Sequence, residues 1–108
     1  MEQISISVKL GPNYALLEVI GTINSYTYSD FQDKVYSLIK ETNLVIEMSQ
    51  VTNLASAGLG VLMAAYEDGE ETGHKLYIMR PSQIVRMAIE STGFAEMFPV
   101  IHSLTEVL

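Results

Sequence analysis

The chain has 108 residues, with 6 basic and 13 acidic side chains and no cysteine, so its formal net charge at pH 7 is −7. One domain of this length can bury about two thirds of the surface of its unfolded chain, and it therefore needs no disulfide bonds or structural metal. The basic residues are scattered singly, which argues against binding to nucleic acid or to an anionic membrane. With no secretory signal and no long apolar span in the sequence, we expect a cytoplasmic protein without membrane insertion.

The first twenty residues have the pattern of a β-hairpin. Residues 4–9 alternate between aliphatic and polar side chains, as in a strand with one buried face. The sequence Gly-Pro-Asn at 11–13 predicts a turn. Residues 14–20 form the returning strand, which we expect to end at Gly21.

A first helix and a central strand are predicted next. Thr27 and Asp30 have the spacing of a capping box, with Asp in place of the usual Glu or Gln. The apolar stripe of an amphipathic helix follows, and we expect the helix to reach about Glu41 and to be broken at Asn43. Residues 44–48 are mostly apolar, which is typical of a strand buried on both faces.

The rest of the chain alternates helices with strands. A second helix is predicted from about Ser56 to Glu71, with Gly73 in the left-handed conformation that ends many helices. The other predicted elements are a strand at 75–79, a third helix from Ile84 that ends at Gly93, an edge strand at 99–101 and a helical turn at 103–108. This order predicts one α/β domain over residues 1–108, with an N-terminal hairpin and helices packed on a mixed sheet of four to five strands.

Two glycines, Gly58 and Gly60, lie in the first turns of the predicted second helix. Glycine inside a helix costs about 1 kcal/mol relative to alanine, so both positions indicate a need for bare backbone. Two explanations are open: close packing of the helix, or approach of a ligand or partner to the helix start. The same two alternatives hold for a strip of mostly small residues on one side of the helix, at Gly58, Val61, Ala65 and Asp68.

Ser56 also has two interpretations. As the N-cap of the second helix, its hydroxyl would accept a hydrogen bond from a backbone N–H two or three residues on. As a phosphorylation site, it would gain a charge of about −1.5 to −2 at the positive end of the helix dipole. The fold would tolerate that phosphate, whereas a partner docked on the same surface would not.

Three other kinds of site are disfavoured by the residues present. The sequence Gly-Leu-Gly at 58–60 lacks the third glycine of a dinucleotide fingerprint and the lysine of a P-loop. A serine hydrolase would need His74 or His102 to reach Ser56, and both are predicted on the surface or at strand ends. The carboxylates at 67–71 lack the accompanying histidines of a metal site. We therefore expect no catalytic residues, no metal, no cofactor and no enzymatic activity.

The chain resembles the STAS domains, specifically the bacterial anti-sigma factor antagonists, in Ile46-Glu47-Met48-Ser49, then Val51, then Ser56-Ala57-Gly58-Leu59-Gly60-Val61-Leu62. The resemblance covers nearly the whole chain, in order and at the right spacing. It includes Gly-Thr-Ile-Asn at 21–24, Gly-His-Lys-Leu at 73–76 and Thr-Gly-Phe at 92–94.

This resemblance implies a protein-interaction switch. Such antagonists sequester an anti-sigma factor that is also a serine kinase, phosphorylation of the serine before Gly-Leu-Gly breaks the complex, and a serine phosphatase restores it. Ser56 is in the position of that serine. The family usually has Asp at two positions that are Ala55 and Asn24 in this chain. Loss of these carboxylates would remove kinase contacts, but it would also reduce repulsion of an added phosphate.

From the resemblance we expect the partner surface at residues 21–26 and 53–65. The expected contact residues are Asn24, Ser25, Tyr26, Ala55, Ser56, Ala57, Gly58, Leu59, Val61 and Ala65. The alternative is a STAS scaffold that is never phosphorylated, such as a subunit of a signalling or lipid-transport assembly, in which Ser56 is only a helix cap.

Overall fold

The computed structural model describes residues 3–107, which form a five-stranded sheet and three α-helices in the predicted order. The strands are β1 (Ile4–Leu10), β2 (Tyr14–Ile23), β3 (Asn43–Leu54), β4 (Leu76–Met79) and β5 (Val100–Ile101). The helices are α1 (Tyr28–Glu41), α2 (Ser56–Thr72) and α3 (Gln83–Ser91), with 3-10 turns at Ala95–Met97 and Leu104–Glu106. The helical turn predicted over 103–108 is the 3-10 turn at Leu104–Glu106, and Leu108 lies outside the described residues. Within residues 3–107, none of the helices has the length and apolar character needed to cross a bilayer.

The strands lie in the sheet in chain order, from β1 to β5. β1 pairs antiparallel with β2, as the hairpin pattern predicts, and every other neighbouring pair is parallel. Each helix is therefore a crossover between adjacent parallel strands. Right-handed crossovers that all step in one direction place their helices on one face of the sheet. Buried residues of all three helices, including Phe31, Val61 and Val85, accordingly share a single core.

The main core lies between the helices and one face of the sheet. The apolar stripe predicted for α1 is buried there, at Phe31, Val35 and Ile39. In β3, Ile46 faces this core whereas Val45 faces the opposite side of the sheet, and both are fully buried. The prediction of a strand buried on both faces is therefore confirmed.

The sheet face away from the helices carries a smaller apolar cluster of Leu16, Val45, Met79 and Ile101. The chain after β5 folds across this cluster, with Leu104 and Val107 packed against it. The Asn13 side-chain amide donates a hydrogen bond of 3.3 Å to the Val107 carbonyl. A short irregular segment thus covers this face as far as the turn between β1 and β2.

β2 does not end at Gly21 as predicted but continues to Ile23. Gly21 has a φ of 107°, and its pairing with β3 shifts register on either side of it. A side chain at Gly21 would collide with the carbonyl oxygen of Gln3, which accepts a hydrogen bond from the Thr22 N–H at 3.2 Å. This glycine therefore marks an irregularity within a strand, which the sequence pattern does not distinguish from a turn.

Candidate functional site

The loops that follow β2 and β3 lie side by side at the carboxyl end of the sheet. Ile23 and Leu54 are paired, and the Ala55 N–H donates to the Ile23 carbonyl at 2.9 Å. The hydroxyls of Thr22 and Thr52 are hydrogen-bonded at 3.1 Å. We call residues 22–27 and 52–60 the rim, because these segments form one continuous edge that contains most of the predicted site.

Asn24 organises the first half of the rim. Its side-chain oxygen accepts hydrogen bonds from the N–H groups of Tyr26 at 2.8 Å and Thr27 at 3.1 Å, and its carbonyl accepts one from Tyr28 at 2.9 Å. Asn24 is buried, so its contribution to the site is to hold this Asx turn. The turn presents Ser25 and Tyr26 to solvent, with Tyr26 85% exposed.

The capping box predicted for Thr27 and Asp30 is not formed. The Thr27 hydroxyl accepts a hydrogen bond from the Asn24 N–H at 2.9 Å and donates one to the Thr22 carbonyl at 2.7 Å. Thr27 makes no side-chain cap on α1. Its hydroxyl instead ties the Asx turn to the end of β2.

Ser56 is the first residue of α2 and not its N-cap, so that prediction was wrong. The N-cap is Ala55, with an extended backbone and no side-chain acceptor. The Ala55 carbonyl accepts the first helical hydrogen bond, from Leu59 at 3.1 Å. Ser56 is exposed, and among residues 3–107 its hydroxyl has no hydrogen-bond partner. The hydroxyl is therefore not required to start the helix and is accessible from solvent.

The rim is uncharged although the chain is strongly acidic. No Asp, Glu, Lys or Arg occurs at 19–29 or at 48–66. The first N–H groups of α2 have no helical carbonyl partner, and Ala55 supplies no capping oxygen for them. The partial positive charge of the helix start is thus uncompensated by any ionised side chain of the rim.

The two glycines of α2 have different surroundings, which separates the two explanations for them. A Cβ at Gly58 would lie 2.5 Å from Leu54 Cδ1 and 2.6 Å from Ile23 Cγ2, so close packing requires Gly58. A Cβ at Gly60 would meet no atom of the described chain within 4 Å, and Gly60 is exposed. Packing explains Gly58, whereas at Gly60 the bare backbone faces solvent.

Three of the expected partner-contact residues, all of them on α2, are buried in the structure. Gly58, Val61 and Ala65 are buried, with Val61 at 2% and Ala65 at 0% exposure. In the small-residue strip, these three residues therefore pack inside the protein, whereas Asp68 is half-buried. Close packing, and not a docked partner, accounts for the strip at the three buried positions. Of the other expected contacts, Asn24 is buried, Ala55, Ala57 and Leu59 are half-buried, and Ser25, Tyr26 and Ser56 are exposed.

The two histidines do not meet Ser56. His74 precedes β4, at the opposite end of the sheet from the rim, with Nδ1 2.6 Å from the Ile39 carbonyl oxygen. The backbone N–H of His102 donates to the Glu106 carboxylate at 2.6 Å. No hydrogen bond in the described chain joins either residue to Ser56, so a Ser-His pair is not assembled.

Two carboxylates near the end of α2 influence two tyrosines. Glu70, by its charge and a hydrogen bond, raises the pKa of the Tyr66 phenol. Burial, followed by the charge of Asp68, raises the pKa of Tyr36. Both phenols are neutral at pH 7, and neither residue belongs to the rim.

Sequence reasoning missed the roles of Thr27 and Thr52 at the rim. Thr52 lies outside the expected range 53–65, and its pairing with Thr22 depends on register shifts between β2 and β3. Such shifts leave no signal in hydrophobic alternation. The run of hydroxyl and amide side chains on both sides of the strand ends was the only available indication.

Comparison with known proteins agrees with this architecture. The STAS domain family model matches residues 5–107. An anti-sigma factor antagonist from Mycobacterium paratuberculosis is 28% identical to this chain, and the two superpose with a TM-score of 0.80. The alignment covers 96% of this chain and 90% of the antagonist. The phosphorylated form of Bacillus SpoIIAA (12% identity, 95% and 96% coverage, TM-score 0.73) and an RsbS variant from Moorella thermoacetica (14%, 93% and 88%, 0.74) share the fold. Because the family model spans nearly the whole sequence, the chain belongs to the STAS domain family.

Proposed function

We propose that the protein is a cytoplasmic anti-sigma factor antagonist that binds an anti-sigma factor serine kinase through the rim. Phosphorylation of Ser56 by that kinase would end the complex, and a serine phosphatase would restore it. The observation that carries the proposal is the exposed Ser56 hydroxyl, which has no hydrogen-bond partner in the described chain and lies in the first turn of α2. The anti-sigma factor antagonist that is 28% identical to the chain supports the same role.

The exposed part of the rim offers the contacts of a docking surface. Tyr26 is 85% exposed on a turn whose shape Asn24 fixes, and tyrosine is a common anchor residue in protein interfaces. Gly60 allows a partner to approach the α2 backbone without meeting a side chain. Ser56 is an exposed residue of the same rim, one turn before Gly60 in α2, so a modification there would alter the same surface.

A phosphate at Ser56 would act through charge rather than through refolding. It would add about −1.5 to −2 charge to a surface that has no ionised side chain of its own. The free N–H groups of the helix start favour that charge, so the fold is maintained. A partner surface that matches the neutral rim would have to desolvate the phosphate without a compensating cation, which disfavours the complex.

Ala55 and Asn24 define how this chain differs from the usual family pattern. Asn24 keeps the Asx turn through its side-chain oxygen without a negative charge. Ala55 keeps the extended N-cap backbone but supplies no carboxylate beside Ser56. The proposal therefore requires a kinase that recognises Ser56 through uncharged contacts.

Intact-mass and tandem mass spectrometry of the protein purified from its native cells, with whatever co-purifies, would test this proposal. The expected result is a fraction heavier by one phosphate on Ser56, and a kinase associated with the unmodified fraction. Ser29 is the internal control, because it is also exposed in the first turn of a helix. Uniformly unmodified protein bound to an assembly without a kinase would instead support the scaffold alternative.

A further inference from the structure

β1 is an edge strand whose outer side is unpaired in the described chain. It has seven residues and pairs with β2 without a register shift, whereas the opposite edge, β5, has only two residues. Natural edge strands are usually shortened, bulged, or protected by charges or proline. In β1 the only such residue is Lys9, which pairs with Glu18 at 3.1 Å. β1 is thus a long and regular edge with little protection.

The hydrogen bonds at both ends of β1 show which of its backbone groups point outward. The Gln3 carbonyl accepts from the Thr22 N–H, and the Gly11 N–H donates to the Tyr14 carbonyl, so odd-numbered positions bond toward β2. In an antiparallel strand, alternate residues direct both their N–H and C=O groups to opposite sides. The even-numbered residues 4, 6, 8 and 10 therefore present unpaired backbone groups at the outer edge.

The same even-numbered residues carry the apolar side chains of the strand. Ile4 and Ile6 are half-buried against the core, Val8 is 37% exposed and Leu10 is 77% exposed. An open groove of about 410 Å³ lies between Ile4 and Ile6 of β1 and the polar side chains of α1 at Asp30, Asp33, Lys34 and Ser37, so α1 covers these two isoleucines only in part. Unpaired backbone groups and partly or fully exposed apolar side chains thus coincide on one strand.

We propose that β1 pairs antiparallel with β1 of a second copy of this chain, about a two-fold axis at Ser7, to form a continuous ten-stranded sheet. In this register Ile4 faces Leu10 of the partner copy, and Ile6 faces Val8 of the partner copy. All four apolar side chains of each strand therefore face apolar side chains, and each facing pair can exchange two backbone hydrogen bonds.

Charge also fits this occupant. The single charged side chain of the strand, Lys9, faces Ser5 of the partner copy, so no like charges are opposed despite the net charge of −7. Shifting one strand by one residue relative to the other would place apolar side chains opposite polar ones. Registers that differ from the proposed one by an odd number of residues are therefore excluded. The two rims would point to opposite ends of the dimer, so the pairing is independent of the proposed function.

Single cysteines can test the register, because the chain has none of its own. Ser7→Cys would face itself in a non-hydrogen-bonded pair with Cα atoms about 4.5 Å apart, within the range of a disulfide. Ser5→Cys is the matched control: it is exposed on the same face of the same strand, but would lie about 14 Å from its counterpart. After mild oxidation we expect at least ten-fold more covalent dimer for Ser7→Cys. Equal yields, or a higher yield for Ser5→Cys, would overturn the proposal.

Sedimentation of the unmodified protein over about 5 to 500 μM provides an independent test, with a concentration-dependent dimer as the expected result. Val8→Pro should abolish that dimer, because it removes an outward N–H group that the monomer does not use. Met87→Ala, at another exposed apolar residue on α3, should leave the dimer unchanged. A wild-type monomer throughout the range, or a dimer that survives in folded Val8→Pro, would overturn the proposal. If Val8→Pro does not fold, the comparison of Ser7→Cys with Ser5→Cys remains as the test of the dimer.

Discussion

The side chains of Glu47 and Arg80 form an ion pair between β3 and the residue after β4, with Nη2 and Oε2 2.7 Å apart. The Glu47 side chain is 9% exposed, whereas that of Arg80 is 58% exposed. Glu47 Oε1 also accepts hydrogen bonds from the Ser49 N–H at 2.7 Å and the Ser49 hydroxyl at 2.8 Å. A buried carboxylate in a central strand is thus balanced by one cation and two further donors.

Removing the cation should destabilise the protein. Arg80→Gln would leave the Glu47 carboxylate buried with only the Ser49 donors, and we expect the free energy of unfolding to fall by about 1 to 3 kcal/mol. This is less than for a fully buried pair, because solvent screens the exposed Arg80. Urea unfolding measures the loss, and adding Glu47→Gln should recover part of it. If the loss of unfolding free energy in the double variant equalled the sum of the losses in the two single variants, Glu47 and Arg80 would not be coupled.

Arg80 also has a left-handed backbone, with a φ of 46°. This conformation costs a residue with a side chain about 1 to 2 kcal/mol, and glycine avoids most of that cost. Arg80→Gly and Arg80→Ala both remove the ion pair, so their difference reports the backbone alone. We expect the glycine variant to be about 1 kcal/mol more stable in urea unfolding. At positions with a right-handed backbone, alanine is the more stabilising of the two residues. If Arg80→Ala were more stable than Arg80→Gly, residue 80 would have left the left-handed conformation in the alanine variant.

Alanine substitutions at Gly58 and Gly60 should have opposite effects on stability. Gly58→Ala brings a methyl group against Ile23 and Leu54, and we expect a loss of about 1 to 2 kcal/mol despite the better helix propensity of alanine. Gly60→Ala meets no neighbour and should gain about 0.5 to 1 kcal/mol. Thermal unfolding of the two variants measures both changes. If Gly60→Ala is destabilising, the fold itself requires glycine at position 60, and a partner is not needed to explain it.

Substitution of Ser56 should separate binding from folding. Since its hydroxyl has no partner in the described chain, Ser56→Ala should change the free energy of unfolding by less than about 0.5 kcal/mol. Ser56→Ala should bind the co-purifying kinase but resist modification, and Ser56→Asp should bind it about ten-fold or more weakly. Calorimetric titration measures the affinities, with Ser29→Asp as the matched control. Unchanged affinity of Ser56→Asp would contradict the switch.

The segment after β5 should loosen in acid. Hydrogen bonds from the N–H groups of His102 and Ser103 lower the pKa of Glu106 below its usual 4.5. A carboxylate whose pKa is lower in the folded state stabilises that state above its unfolded pKa, and the contribution is lost as the pH falls through the folded value. NMR shifts of the two amides should therefore titrate with a midpoint below 4.5, and Glu106→Gln should remove the transition. A midpoint at or above 4.5 would contradict this assignment.

Much of the fold follows from local pattern. Side-chain alternation in β1, the stripe of Phe31, Val35 and Ile39, and the left-handed Gly73 after α2 are each read from a few neighbouring residues. These signals are reliable because strand pleat and helix pitch dictate them directly.

The details of the site depend on contacts between segments far apart in the chain, which local pattern does not contain. Thr27 was assigned to a helix cap, but its hydroxyl is taken by Thr22 and Asn24. Val61 and Ala65 could face a partner or a neighbouring helix, and only the packed structure shows that they are buried. Glu47 pairs with Arg80 from the next strand, which requires the sheet order.

The identity of sheet order and chain order has a consequence for synthesis on the ribosome. Each strand from β2 onward emerges after the neighbour to which it will bond, so the sheet can grow one strand at a time. No strand has to wait for a later one to be inserted between it and its neighbour. The hydrogen bond between Asn13 and Val107 spans 94 residues and can form only when this growth is complete. Docking of the final segment is therefore expected to be the last step of folding, after the helical core is in place.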